Sequence, residues 1–520
     1  MSASKKKMQR REAADTEKVT QAQAEQAAYK KKVRLYTIIG IVVVVLVAAL
    51  LLWNSGIFQK NAAAATVGDE KLSVAELSYY YYNNELRYMY YSYGLLDSSK
   101  SDAEQFLNEE EGTTYQDYFL EQALATAQET QVMYQAALEN GYSDSDVKAS
   151  VDAEIANMKS SAAANGYDYK AFLKAVYGRY MTPAVMENIV TKSLVASLYY
   201  NDVYNETYDG LTAEDLDAYY NDNQDSVDTF TYSYLYYTAD SVETTGEDGE
   251  ELSEDEIAAL EEAAMAEAKE KADAALEAYN NGTGIAELIE TTAPSTSSDH
   301  YTVIGTSAIG ATYRDTLLEL GTDEAAVVEN EGIGYYVVIF HERSRNDTLS
   351  ANVRHILVMA ETTTDESGAV VAPTDEAWAA AQTKAEEIRA EFEAGEQTPE
   401  AFAALAEKYS EDTGSNTNGG LYEGVTEGDF VEEFDFWLFG DKSDLQPGDT
   451  AMIRHEGNAE TESAPYWGYH ITYLDSWGEA EWQLQVRETM AYDSMTELTT
   501  ELCEASPAVL ANAAYSNIGK

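Results

Sequence analysis

The chain has 520 residues, 45% of them hydrophobic, with 93 Asp and Glu against 33 Lys and Arg and a formal net charge of −60. That apolar content excludes bulk disorder and, with the length, points to roughly three or four domains. So acidic a body lacks the basic footprint that nucleic-acid phosphates need, and a single cysteine, Cys503, excludes an internal disulfide framework.

Residues 1–34 are the exception to the charge, with ten Lys and Arg against four Asp and Glu. They lead into an uncharged run, Leu35 to Trp53, which includes Ile41-Val42-Val43-Val44-Val45-Leu46-Val47. At about 1.5 Å per residue such a run comes close to spanning the hydrocarbon core, so the expectation is one N-terminal transmembrane helix over 35–53. The flank Lys30-Lys31-Lys32-Val33-Arg34 keeps the basic arm, 1–34, in the cytoplasm and puts the body outside the cytoplasmic membrane. The five histidines, His300, His341, His355, His455 and His470, show no ligand spacing. No phosphate loop or nucleophile elbow occurs either, so no metal and no cofactor is expected.

Residues 66–227 read as helical. Val67 to Leu72 makes a short strand and turn, and Ser73-Val74-Ala75-Glu76 has capping-box spacing ahead of a helix. Further helical windows cover about 114–140, 144–163, 168–178 and 182–207, with a second cap at Thr212-Ala213-Glu214-Asp215. The first helix carries Tyr79-Tyr80-Tyr81-Tyr82, in a chain with 40 tyrosines. Rings with wet hydroxyls suit a surface that grips unfolded segments, and equally suit packing between helices. This arrangement is similar to the N-terminal helical domain of SurA-type and PrsA-type extracytoplasmic chaperones.

In residues 228–345, Phe230 to Tyr236 alternates like a strand and Glu254 to Tyr279 is Ala- and Glu-rich and helical. Gly334-Tyr335-Tyr336-Val337-Val338 echoes Gly468-Tyr469-His470-Ile471-Thr472, so this segment reads as an altered copy of the unit that follows. In that register Ser233 stands where the second copy has His355, and Tyr336 where it has His470.

Residues 350–478 hold five ordered fragments: Val353-Arg354-His355-Ile356-Leu357-Val358, Phe402 to Asp412, Asn418-Gly419-Gly420-Leu421-Tyr422, Phe430-Val431-Glu432-Glu433-Phe434, and Gly468-Tyr469-His470-Ile471. Val353 to Met359 is a strand, Asp375 to Phe392 a helix, Thr398-Pro399 an N-cap with proline at N1, Val431 to Phe439 a short helix and Trp467 to Leu474 the closing strand. The ordered set resembles the parvulin family of peptidyl-prolyl cis/trans isomerases. The resemblance implies a small antiparallel sheet wrapped by helices. It places His355, Asp412 and His470 at the catalytic centre, Phe430 and Phe434 in a proline pocket on one helical face, and Leu421 or Trp437 beside them. Where many parvulins have a serine or threonine shortly before the glycine, this chain has Pro465-Tyr466-Trp467. No Arg/Lys pair occupies Ala360 to Ala372, so phosphoserine-proline selectivity is not expected.

Residues 479–520 form a C-terminal helix and tail, ended by Pro507, which by the same resemblance returns to the helical domain. The chain as a whole is therefore expected to be α+β: a transmembrane helix, a helical chaperone domain, two parvulin-like units of which the first is degenerate, and the returning helix. The implied function is isomerase and chaperone for unfolded, proline-containing proteins outside the membrane. The alternative is a non-catalytic holdase that uses the parvulin units as scaffolds.

Overall fold

A computed structural model describes residues 30–31, 37–48, 62–91, 95–97, 99–245, 251–365, 370–440, 444–458 and 465–519. Among them no helix is long and apolar enough to cross a membrane. Of the run expected to span one, 35–53, only the helix over 37–48 is described, and the remainder lies outside the described residues. The chain divides into two units, one made of residues up to Thr207 together with Ala491 onward, the other of Tyr208–Met490.

In the first unit the strand Ala63–Val67 runs between Glu70–Ser73 and Ala508–Leu510, with Ala65 opposite Leu510. Ser73 and Glu76 close a reciprocal capping box, Glu76 Oε2 accepting from Ser73 N at 2.9 Å and Ser73 Oγ from Glu76 N at 3.2 Å. The helix Val74–Tyr91 that follows turns Leu77, Tyr80 and Tyr81 into a core shared with Phe119, Leu120, Met186 and Met495. Tyr79 and Tyr82 only flank that core. The tyrosine run is thus largely packing, because 3.6 residues per turn spread four consecutive rings around the helix. Late residues lock onto the helix Tyr115–Glu139: Gln116 Nε2 donates to Ile518 O at 2.5 Å, and Gln128 Nε2 donates to Cys503 O and Ser506 O at 2.9 Å.

The second unit contains two four-stranded antiparallel sheets of the same order. The first comprises β1 (Thr229–Thr238), β2 (Thr296–Ile304), β3 (Ala325–Asn330) and β4 (Gly334–Ser344), ordered β2-β1-β4-β3. The other comprises β5 (Leu349–Met359), β6 (Leu421–Val425), β7 (Thr450–Glu456) and β8 (Trp467–Ala480), ordered β6-β5-β8-β7. In each, the first and last strands are central. One face of each sheet is covered by helix: α1 (Glu254–Asn280) buries Ala268, Ala272 and Ala275 against Leu235, Val337 and Ile339. On the second sheet α2 (Asp375–Ala394) and α3 (Pro399–Tyr409) bury Ala385, Ile388, Phe392 and Phe402 against Ile356, Val358 and Ile471.

Register corrects the alignment of the two copies. His470 pairs with Leu357 and Thr472 with His355, whereas Tyr336 pairs with Tyr236 and Val338 with Tyr234. Tyr234, not Ser233, therefore occupies the place of His355, and Tyr336 that of His470. A slip of one residue in a strand moves a side chain to the other face.

Candidate active site

The second face of the β5–β8 sheet carries His355, His470 and Thr472 beside Val353 and Leu474, beneath α4 (Glu432–Phe439). The segment after α3 brings an acid to the same place. Ser410 Oγ accepts from Leu357 N at 3.1 Å, and Glu411 N donates to Leu357 O at 2.9 Å, so the chain is laid along β5 and Asp412 meets His355. The strand β6 approaches through Gly419 and Gly420, at φ of 64° and 72°, a left-handed conformation in which a Cβ on Gly420 would collide with the His355 carbonyl.

The polar groups form one directed line. Asp412 Oδ2 lies 2.9 Å from His355 Nε2, His355 Nδ1 lies 3.0 Å from His470 Nδ1, and His470 Nε2 lies 3.1 Å from the Tyr466 hydroxyl. Asp412 also accepts from Tyr422 OH at 2.9 Å, from Gly414 N at 3.0 Å and from Ser415 Oγ. The hydrogen bond from His355, followed by those other donors, holds its carboxyl well below the usual carboxylate range. Burial, reinforced by His355 and His455, lowers His470 from 6.5 to about 3. Asp412 accepts from His355 Nε2, and the two nitrogens of the neutral His470 ring are divided between His355 Nδ1 and the Tyr466 hydroxyl, one donating and one accepting.

Beside this line is an apolar stack. Phe430 and Phe434 lie 4.4 Å apart with planes 8° from parallel, and Phe434 is fully buried while Phe430 is partly open. Both rings are about 6 Å from the ring of His355, at 6.1 and 5.9 Å. Trp437 packs on Phe434 at 5.8 Å. The pair is not a helical i, i+4 face, because Phe430 precedes the N-cap, Val431; the rings meet face to face across the helix entrance. Leu421 is not brought to this place. Strand alternation turns its neighbour Tyr422 toward the site, edge-on to Phe430 at 5.2 Å. Sequence reasoning also missed Ser415, Tyr466, His455 and Glu433, which reach the site from loops and adjacent elements without local signals of their own.

A family model described as a PPIC-type PPIase domain matches residues 339–446, and one described as a SurA-like N-terminal domain matches residues 26–198. This chain carries a parvulin-type peptidyl-prolyl isomerase domain and a SurA-like chaperone domain. It is a foldase of that kind, and its isomerase match stops short of β7 and β8. Solved structures similar to it include the peptidylprolyl isomerase PrsA from Bacillus anthracis, at 12% identity over 72% of this chain and 94% of that one, with a TM-score of 0.18. PrsA from Bacillus cereus is similar at 13% identity over 79% and 95%, with a TM-score of 0.17. SurA-like chaperones of Campylobacter jejuni are similar at 16% identity over 30% and 52%, with a TM-score of 0.16. No curated protein matches.

Outside the isomerase domain the first sheet holds a line that imitates a hydrolase. Ser233 Oγ is 2.7 Å from His341 Nε2, and His341 Nδ1 is 3.1 Å from Asp323 Oδ1. Ser233 is fully buried, and its hydroxyl also donates to the Asp299 carbonyl. The line ties β1 to β4. Among the described residues no group of three His, Cys, Asp or Glu could hold a metal ion.

Proposed function

We propose that the isomerase domain seats the proline ring of a client on the Phe430–Phe434 stack, walled by Tyr422 and Trp437, while the preceding carbonyl swings past His355, His470 and Asp412. The barrier of about 18–20 kcal/mol is amide resonance, and no covalent bond changes. The planar amide is the more charge-separated form. A dry aromatic surface beside the neutral His470 ring favours the twisted form over it. The observation that carries this reading is the parallel Phe430–Phe434 pair within about 6 Å of His355, a histidine held by Asp412. Phe430→Ala removes the open half of the stack, about 1.5 kcal/mol or roughly tenfold in kcat/KM for cis/trans exchange of an Ala-Pro peptide. Exchange NMR with the folded variant measures it, and an unchanged rate removes the assignment.

The first sheet, with Tyr234 and Tyr336 in the histidine places, is a parvulin-like unit without the chemistry. Residues 66–227 and the tail from 479 act as the chaperone part and hold unfolded client segments. The uncharged run 35–53 anchors the chain in the cytoplasmic membrane with its acidic body outside. That reading is supported by the length of the run and by the cations before it. Protease added to cells stripped of their wall is then expected to digest everything beyond about residue 56. A protected body rules out the outward topology.

A further inference from the structure

His455, on β7, belongs to the same face but not to the proton line. It is 5% exposed, and Ile453, two residues before it, packs with Phe434. Its ring lies 4.5 Å from that of Tyr466 and 6.4 Å from that of His470. Nδ1 is 3.2 Å from Glu433 Oε2. The carboxylate accepts, so Nδ1 carries a proton, and in the neutral ring Nε2 is left as a bare lone pair. Among the described residues nothing donates to that atom, which is buried. Buried polar atoms in folded proteins are nearly always partnered, and an exception calls for a reason.

The other acceptors of the site are committed. His355 Nδ1 and His470 Nδ1 are engaged with each other, His470 Nε2 is engaged by Tyr466, and Asp412 is filled by its donors. Glu433, which orients His455, is followed directly by Phe434, so the lone pair and the proline stack are set by consecutive residues of one helix. A proline on that stack has no N–H of its own, and the nearest donors it brings are the amides of its two neighbours. We propose that His455 Nε2 accepts a hydrogen bond from a backbone N–H of the bound peptide, on the residue immediately before or after the proline. His455 is thus a substrate-binding residue that recognises the peptide backbone, whatever the side chains. In the neutral ring it cannot serve the substrate carbonyl, which needs a donor.

This rests on the site proposed above, and the test separates the two. The intact protein is assayed by exchange NMR on an acetylated Ala-Ala-Pro-Ala amide and on two analogues, N-methylated on the residue before or after the proline. His455→Leu is expected to lower kcat/KM for the parent on the order of tenfold. One of the analogues is expected to be turned over equally by native and variant proteins, and that analogue identifies the donor. If His455→Leu carries the same penalty on all three peptides, or none on the parent, the inference is overturned. Phe430→Ala runs in parallel: if it too leaves the parent rate unchanged, the site itself is misplaced, whereas a slowed Phe430→Ala beside an unaffected His455→Leu removes only the role of His455. A second readout needs no variant. With ¹⁵N-histidine labelling, saturating parent peptide is expected to move the Nε2 resonance of His455 and leave Nδ1 in place; an unmoved Nε2 overturns the proposal.

Discussion

Asp412→Ala should destabilise the isomerase domain by about 3 kcal/mol and release His355 from the carboxylate that fixes the proton on its Nε2. The substitution strands the donors on His355, Ser415, Tyr422 and Gly414 in a half-buried place. Three of those four donors converge on Oδ2. Asp412→Asn can therefore put its amide oxygen there, keep the side-chain donors satisfied and lose only the bond from Gly414. It is expected to cost about 1 kcal/mol and to keep the native tautomers while removing the charge. Urea denaturation gives the stabilities, ¹⁵N imidazole spectra give the tautomers, and peptide exchange shows what the charge contributes to rate. Alanine and asparagine variants of equal stability and equal tautomer populations would mean that the line of hydrogen bonds does not begin at Asp412.

The second large effect is on acid stability and comes from His470. Its folded pKa is depressed to about 3 from 6.5, chiefly by burial. The unfolded chain takes up this proton as pH falls through about 6.5, and the folded chain resists until about 3. The stabilisation by the neutral ring is thus complete above the unfolded value and is lost progressively on acidification, by about 3 kcal/mol between pH 6.5 and pH 4. Asp412, also depressed, acts in the same direction at lower pH, its contribution being lost as pH falls through the ordinary carboxylate range and below it. His470→Asn, which cannot titrate, should show a flatter fall in urea midpoint across that window than the native protein. Parallel curves would show that His470 is not held neutral by the fold.

Local signals made the element boundaries legible. The cap at Ser73 and the Thr398-Pro399 start lie where helices begin, because each satisfies backbone donors within its own turn. His355 and His470 could be placed on strands from the surrounding β-branched and aromatic residues. What eluded sequence reasoning depends on partners distant in the chain. The copy register failed because β1 carries large residues on both faces, Tyr234 and Tyr236 on one and Leu235 and Tyr237 on the other. Alternation of polarity cannot choose a face there. Tyr422 displaced Leu421 for a related reason: the face a strand residue shows is set by its pairing with β5, seen only in the sheet. Phe430 was read onto a helix because Val431 does not announce itself as a cap; no side chain of Val431 closes the first turn.

The strand Ala63–Val67 has Ala508–Leu510 as one of its neighbours. A ribosome delivers the chain from the N-terminus, so this sheet must wait, half made, until residues 508–510 have been synthesised. Tyr208–Met490, contained in the interval, has all of its own strands available sooner. The strands of that unit are therefore available for pairing before this sheet can close, with the tyrosine-rich helices of the first unit left partly unclosed in the interval. A truncation that removes only the last dozen or so residues would spare the isomerase sheet and leave the other unit permanently in that unfinished state.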